Sequence, residues 1–261
     1  MHPSDWRLIN GEWLEALPAA VARARGNADA RALSQADWLI RRKRDGRYLA
    51  VRRGDIAREL RRGALDPDLR ADLADLARAD TLGGAPRPLE DLVRRLHALG
   101  LDEDAYRART GLALVAEPHV LAWAGRDRYR RPLWLDGAAA PAWRALQAAA
   151  RDEGIVLEAI SGYRSHDYQL GIFRRKLARG QPVDEILRAN AAPGFSEHHD
   201  GRALDVSTPG EPAAEESFEA TPAFAWLQRR AGDFGFVMSY PRVNPHGIDY
   251  EPWHWRHDGA G

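Results

Sequence analysis

The sequence predicts an α+β protein, a small antiparallel sheet with flanking helices preceded by an N-terminal mostly helical region. Three observations carry this expectation. Arg202-Ala203-Leu204-Asp205-Val206-Ser207 alternates polar and apolar side chains, the period of a half-buried strand. From Asp55 to about Arg109, apolar residues recur at helical spacing. Beyond that point helical patterns alternate with strand patterns that read as antiparallel, the signature of the α+β class. The expected division is residues 1–110, an α-rich region with a β-hairpin, and residues 111–261, the sheet-containing domain.

Taken in order, Trp13 to Arg25 places Leu14, Leu17, Val21 and Ala24 at helical spacing, so a helix is expected there, closed by Gly26-Asn27. Trp38 to Val51 holds two β-prone runs about Asp45-Gly46, a strong short-range hairpin signal. The basic cluster at positions 41–44 flanks that turn and is expected to be a solvated hairpin tip. Helices follow around Ile56 and Leu60, around Leu69, Leu73 and Leu76, and around Leu89, Leu92, Val93 and Leu96, with breaks at Gly63, Gly83-Gly84-Ala85-Pro86 and Gly100. Residues 120–123 and 132–135 read as strands. A helix over 141–154 has Pro141 in its first turn and Gly154 at its end. Ile155 to Ile160 is a buried strand, helices follow over 166–179 and 182–190, a third covers 222–232, and 235–239 and 251–255 close the sheet.

Lys+Arg 38 balance Asp+Glu 38, so no nucleic-acid partner held by bulk electrostatics is expected. No cysteine is present, which excludes disulfides and a thiolate metal site. No window reaches the roughly 18 apolar residues of a membrane span. Met1 to Leu8 carries charges and a Trp where a secretory signal needs an unbroken apolar core. The chain as written is expected to be cytoplasmic, or periplasmic if a leader had preceded it.

Two short segments concentrate the chemistry. Between them Ser196 to Asp205 and Glu251-Pro252-Trp253-His254 supply two imidazoles and a carboxylate that could hold one divalent metal, and a second carboxylate placed to act as a base. Catalytic zinc takes three His or carboxylate ligands and leaves one position for water, whose pKa falls to roughly 7. His198, Asp205 and His254 fill the three places, and Glu251 is left to accept the proton. Six residues separate His198 from Asp205, so this is not the helical arrangement with ligands at i and i+4. On a strand, Asp205 shares a face with Ala203 and Ser207, and Gly201 permits the turn that brings His198 back over it. His199, His246 and His257 are bystanders, with His257 the substitute should His254 fail.

The pattern Ser196-x-His198-x-x-Gly201-x-Ala203-x-Asp205, followed by Glu251-Pro252-Trp253-His254, resembles the signature of the VanY-type D-alanyl-D-alanine carboxypeptidases, bacterial zinc peptidases of cell-wall peptides. Ser161-Gly162-Tyr163-Arg164-Ser165 with Gln169 resembles that family's substrate-binding segment. The likeness runs over roughly residues 118–257 and leaves the N-terminal region outside. It implies one zinc ion on His198, Asp205 and His254, Glu251 as general base, Arg164 on the oxyanion or the terminal carboxylate, and Gln169 and Ser196 as substrate contacts. It further implies removal of a C-terminal D-alanine from a peptidoglycan stem peptide or muropeptide. The competing expectations are an endopeptidase of the same fold and a non-catalytic zinc-stabilised binding module.

Overall fold

The structure, a computed structural model, describes residues 5–61, 63, 65–78 and 84–259. Its first 60 residues are mainly an antiparallel meander: β1 (Arg7–Asn10), β2 (Leu14–Pro18), β3 (Trp38–Arg42), β4 (Tyr48–Arg53) and β5 (Ile56–Glu59), with α1 (Asn27–Leu33) between β2 and β3. The chain then forms α2 (Pro67–Arg78), α3 (Glu90–His97) and α4 (Glu103–Thr110). It returns as β6 (Val120–Arg126) and β7 (Pro132–Leu135) to the free side of β1. One seven-stranded sheet results, ordered β5-β4-β3-β2-β1-β6-β7.

After α5 (Ala139–Asp152) the chain builds a second sheet from β8 (Glu158–Ser161), β9 (Ala203–Ser207), β10 (Phe236–Met238) and β11 (His254–His257), ordered β10-β11-β9-β8 and antiparallel throughout. α6 (His166–Ala178) and α7 (Val183–Ala189) lie between β8 and β9, and α8 (Pro222–Arg230) between β9 and β10. Trp143, Leu146 and Ala150 of α5 and Trp226 and Leu227 of α8 pack with Leu204, Val206 and Trp255 into one core. A second core joins Leu92 and Leu96 of α3 to Leu170, Phe173, Ile186 and Phe195, so the N-terminal helices are packed on α6 and α7. The α+β class and the antiparallel sheet with flanking helices are as the sequence predicts.

Four local expectations are corrected. The helix over Trp13–Arg25 is strand β2 and a short 3-10 turn, Ala19–Val21. Pro18 has no N–H for a helix interior, and β2 pairs in register with β3, Glu15 opposite Arg41, burying all five of its residues. Ile56 to Glu59 is strand β5 on the sheet edge, and helix begins only at Pro67. The Asp45-Gly46 hairpin forms, with Gly46 at φ 64°, but its basic run is not simply solvated. Lys43 is 5 % exposed and pairs with buried Glu117. The final strand begins at His254, not at Glu251, and the expected break at Gly83 lies outside the described residues.

The turn between β1 and β2 shows how helix and sheet lock together. The Asp72 carboxylate on α2 accepts three backbone N–H groups, from Glu12, Trp13 and Leu14, at 2.7–2.8 Å. Gly11 leaves room for it, since a Cβ there would sit 2.2 Å from Asp72 Oδ1.

Candidate metal centre and active site

The centre is built on a cross-strand pair. Asp205 on β9 and His254 on β11 are direct partners in the antiparallel register, which puts their side chains on one face about 5 Å apart at Cβ. His198 arrives from a 3-10 turn, Glu197–Asp200, capped at its start by the Ser196 hydroxyl and closed by Gly201 at φ 75°. Any Cβ at 201 would also meet Leu121 Cδ2 at 2.4 Å and Asp136 N at 2.9 Å, so only glycine fits this turn against the first sheet. One ligand atom from each of His198, Asp205 and His254 lies within 4.8 Å of the others, and all three residues are buried.

Hydrogen bonds set the imidazoles. His198 Nδ1 donates to the Gly162 carbonyl at 2.8 Å, which leaves Nε2 with its lone pair. That Nε2 is buried, has no hydrogen-bond partner and lies 3.3 Å from Asp205 Oδ1. His254 turns Nδ1 to Asp205 Oδ1 at 3.3 Å and holds Nε2 against Glu197 Oε2 at 2.8 Å. An orphaned buried nitrogen beside a nitrogen and a carboxylate oxygen is a donor set suited to a divalent ion such as zinc. The carboxylate behind His254 matches the support that ligating imidazoles commonly receive.

Protonation follows from this crowding. Burial and the Arg164 guanidinium push His198 down to about 4. Burial would lower His254 as well, but Asp205, Glu197 and Glu251 reverse the effect and raise it to about 10. Burial would raise Asp205 and Glu197, yet His198 holds Asp205 well below the carboxylate range, and His254 holds Glu197 to about 2. Glu251, with Oε2 3.6 Å from His254 Nδ1, is driven the other way, its burial raising it to about 7. The Asp205 and Glu251 carboxylates, which reach the same His254 Nδ1 at 3.3 and 3.6 Å, are thus shifted in opposite directions by their surroundings.

The expected substrate residues gather at the same place. The bulge that ends β8 delivers Ser161 opposite Asp205 and carries Arg164 over the centre. Arg164 Nη2 lies 3.3 Å from Asp205 Oδ2, and Nη1 donates to Gln169 Oε1 at 3.4 Å. Arg164 Nε is buried without a partner. Gln169 in turn donates to the Ala191 carbonyl, so it steers Arg164. Ser196 is buried as the cap of the His198 turn. Of the bystanders, His199 donates from Nδ1 to the Arg164 carbonyl and accepts at Nε2 from Gly194 N–H. His246 Nδ1 donates to the Thr110 carbonyl at 2.8 Å. His257, three residues on from His254 along a strand, faces away from the centre.

Two residues, Glu197 and Glu117, escaped the sequence reading, and a third, His199, entered it only as a bystander. Glu197 and His199 act through partners 57 and 35 residues away. Glu117 gathers Lys43 Nζ, Tyr163 Oη and His166 N around one buried carboxylate, with Tyr163 at 2.7 Å and His166 N at 2.6 Å. No local pattern marks any of these contacts.

Comparison with known proteins adds the lineage. The family model VanY, D-alanyl-D-alanine carboxypeptidase, matches residues 132–260. YodJ of Bacillus subtilis (strain 168), which carries the name of a carboxypeptidase, is 39 % identical over 126 residues, 46 % of this chain and 45 % of YodJ. A D-alanyl-D-alanine carboxypeptidase of Enterococcus faecalis (strain ATCC 700802 / V583) is 31 % identical over 42 % of this chain and 43 % of its own length. The chain therefore spans under half the length of these curated relatives. Among solved structures, the LdcB LD-carboxypeptidase is 35 % identical, covering 49 % of this chain and 60 % of LdcB with a TM-score of 0.46. Both ligand-bearing segments, Ser196–Asp205 and Glu251–His254, lie inside the stretch that resembles the VanY family of D-alanyl-D-alanine carboxypeptidases, residues 132–260.

Proposed function

We propose that the protein is a zinc-dependent carboxypeptidase that removes the C-terminal D-alanine from peptidoglycan stem peptides. The observation that carries this reading is the buried Glu251 carboxylate, poised near neutrality beside the His198–Asp205–His254 triad and across from Arg164. When bound, zinc would polarise the scissile carbonyl and make water more acidic. Glu251 accepts the proton of the attacking water and returns it to the departing amine as the C–N bond breaks. Arg164, with Nε still unpartnered, donates to the carbonyl oxygen as it gains charge or to the terminal carboxylate of the substrate. Glu197 holds the His254 ring, and Gln169 holds Arg164.

The test is to incubate the zinc-loaded protein with muropeptides carrying tetrapeptide and pentapeptide stems and to measure free D-alanine. Release from the pentapeptide indicates cleavage between two D-residues, and release from the tetrapeptide indicates cleavage after an L-centre. Absence of release from both removes the proposal, and a larger fragment identifies an endopeptidase. Glu251→Gln should lower kcat by about 10²–10⁴ while metal binding persists. A variant with unchanged behaviour in a peptide-binding assay and no wild-type turnover to lose would instead favour a zinc-stabilised binding module.

A further inference from the structure

A cleft of about 780 Å³ runs from Arg164 and Asp205 outward between the N-terminal meander and α6. One wall comes from the chain after β2 and from the β3–β4 turn. The other comes from the β6–β7 turn, the 160–165 loop and α6. Although the whole chain is neutral, nine basic side chains line this cleft against four carboxylates. The carboxylates are already engaged: Glu15 by Arg41, Asp45 by Arg42, Asp127 by Arg131, and Asp205 by the metal-ligand set. Among the described residues, Arg23, Arg25, Arg44, Arg130 and Arg175 have no carboxylate within ion-pair distance, and all five are exposed. The Arg25 guanidinium lies over the Tyr48 ring at 4.6 Å and donates to the Gly46 carbonyl.

We propose that this cleft binds the side-chain carboxylates of an acidic peptide upstream of the residue being removed. The orientation rests on the carboxypeptidase reading, which puts the C-terminal residue at Arg164 and leaves the cleft for the chain before it. Cations on both walls, rather than around one point, suit carboxylates strung along an extended peptide. Arg23, Arg25 and Arg44 precede the stretch that matches the family, so this wall is a contribution of the N-terminal region to substrate choice. Each exposed pair is weak alone, and several in one concave site act together.

The test measures binding by calorimetry to the full chain carrying Glu251→Gln. The probes are a synthetic hexapeptide ending in D-alanine with two free side-chain carboxylates, and the same peptide with both amidated. Amidation should weaken binding on the order of tenfold, and raising salt from about 0.05 M to about 0.5 M should erase the difference. Adding Arg25→Ala, Arg44→Ala and Arg175→Ala should make the two peptides bind alike. The same three changes in the otherwise wild-type protein should leave turnover of a short neutral substrate ending in D-alanine unchanged, which also reports that the variant is folded. Single Arg44→Ala should give part of the loss. Equal affinity for both peptides overturns the proposal, as does displacement of the acidic peptide by inorganic phosphate at matched concentration. Charge-dependent binding with no cleavage of any peptide by the wild-type protein would sustain the cleft and sink the carboxypeptidase reading.

Discussion

His254 sits among three carboxylates that raise it to about 10, so in the absence of a cation a proton occupies the place of the ion. A divalent metal must displace that proton, and the carboxylates that favour the one also favour the other. Glu197 is the partner that fixes which nitrogen faces the site, because its 2.8 Å contact takes the Nε2 side of the ring. Glu197→Gln should therefore weaken metal affinity by about 10–100-fold, read by competition with a chromophoric chelator. An unchanged affinity would show that the ring is held by its strand alone. At this scale the convergence of His198, Asp205 and His254 was legible because two His and an Asp, with a Glu close by in sequence, constitute a chemistry by residue type. Glu197 was not, since an acidic residue beside a histidine has no meaning until the strand carrying residue 254 is folded across it.

Among the elements, β2 shows why periodicity misled. Leu14, Leu17 and Val21 lie three and four apart, which a helix buries on one face. A strand sandwiched between two cores buries both faces and needs no alternation, and residues 14–18 are all buried. The β3–β4 hairpin was readable from Asp45-Gly46, but not the fate of Lys43, whose ammonium reaches the Gly11 carbonyl at 2.7 Å and the Glu117 carboxylate. Through Tyr163 and His166, Glu117 ties that lysine to the loop bearing Arg164. Burial would raise Glu117, but Lys43 and His166 hold it to about 2, below its ordinary 4.5. With the folded value depressed, the network's stability is complete above about pH 4.5 and is lost as pH falls through 2, a contribution of at most about 3 kcal/mol. Lys43→Met should cost about 3–5 kcal/mol at neutral pH by leaving a buried carboxylate unpaired. Denaturant titrations at pH 7 and pH 3 should show a smaller acid-induced loss for the variant than for the wild type. Equal curves would mean that the lysine is dispensable.

For the molecule as a whole, the family match begins at residue 132, inside β7, whereas the sheet containing β7 continues through β6 into β1 and on to β5. The fold class was legible because helix and strand periods alternate in residues 111–261. The union of the two halves was not, because pairing between Arg7–Ile9 and Val120–Ala122 joins strands more than a hundred residues apart with no shared local signal. Leu121 and Trp134, at 0 % and 4 % exposure, pack in one cluster with Leu8, Leu17, Leu39 and Val51. A protein cut back to residues 111–261 would bare β6's row of N–H and C=O groups together with those apolar side chains. Such an unguarded edge is a template for other chains, so the shortened protein should self-associate, visible as growth in light scattering at concentrations where the full chain stays monodisperse.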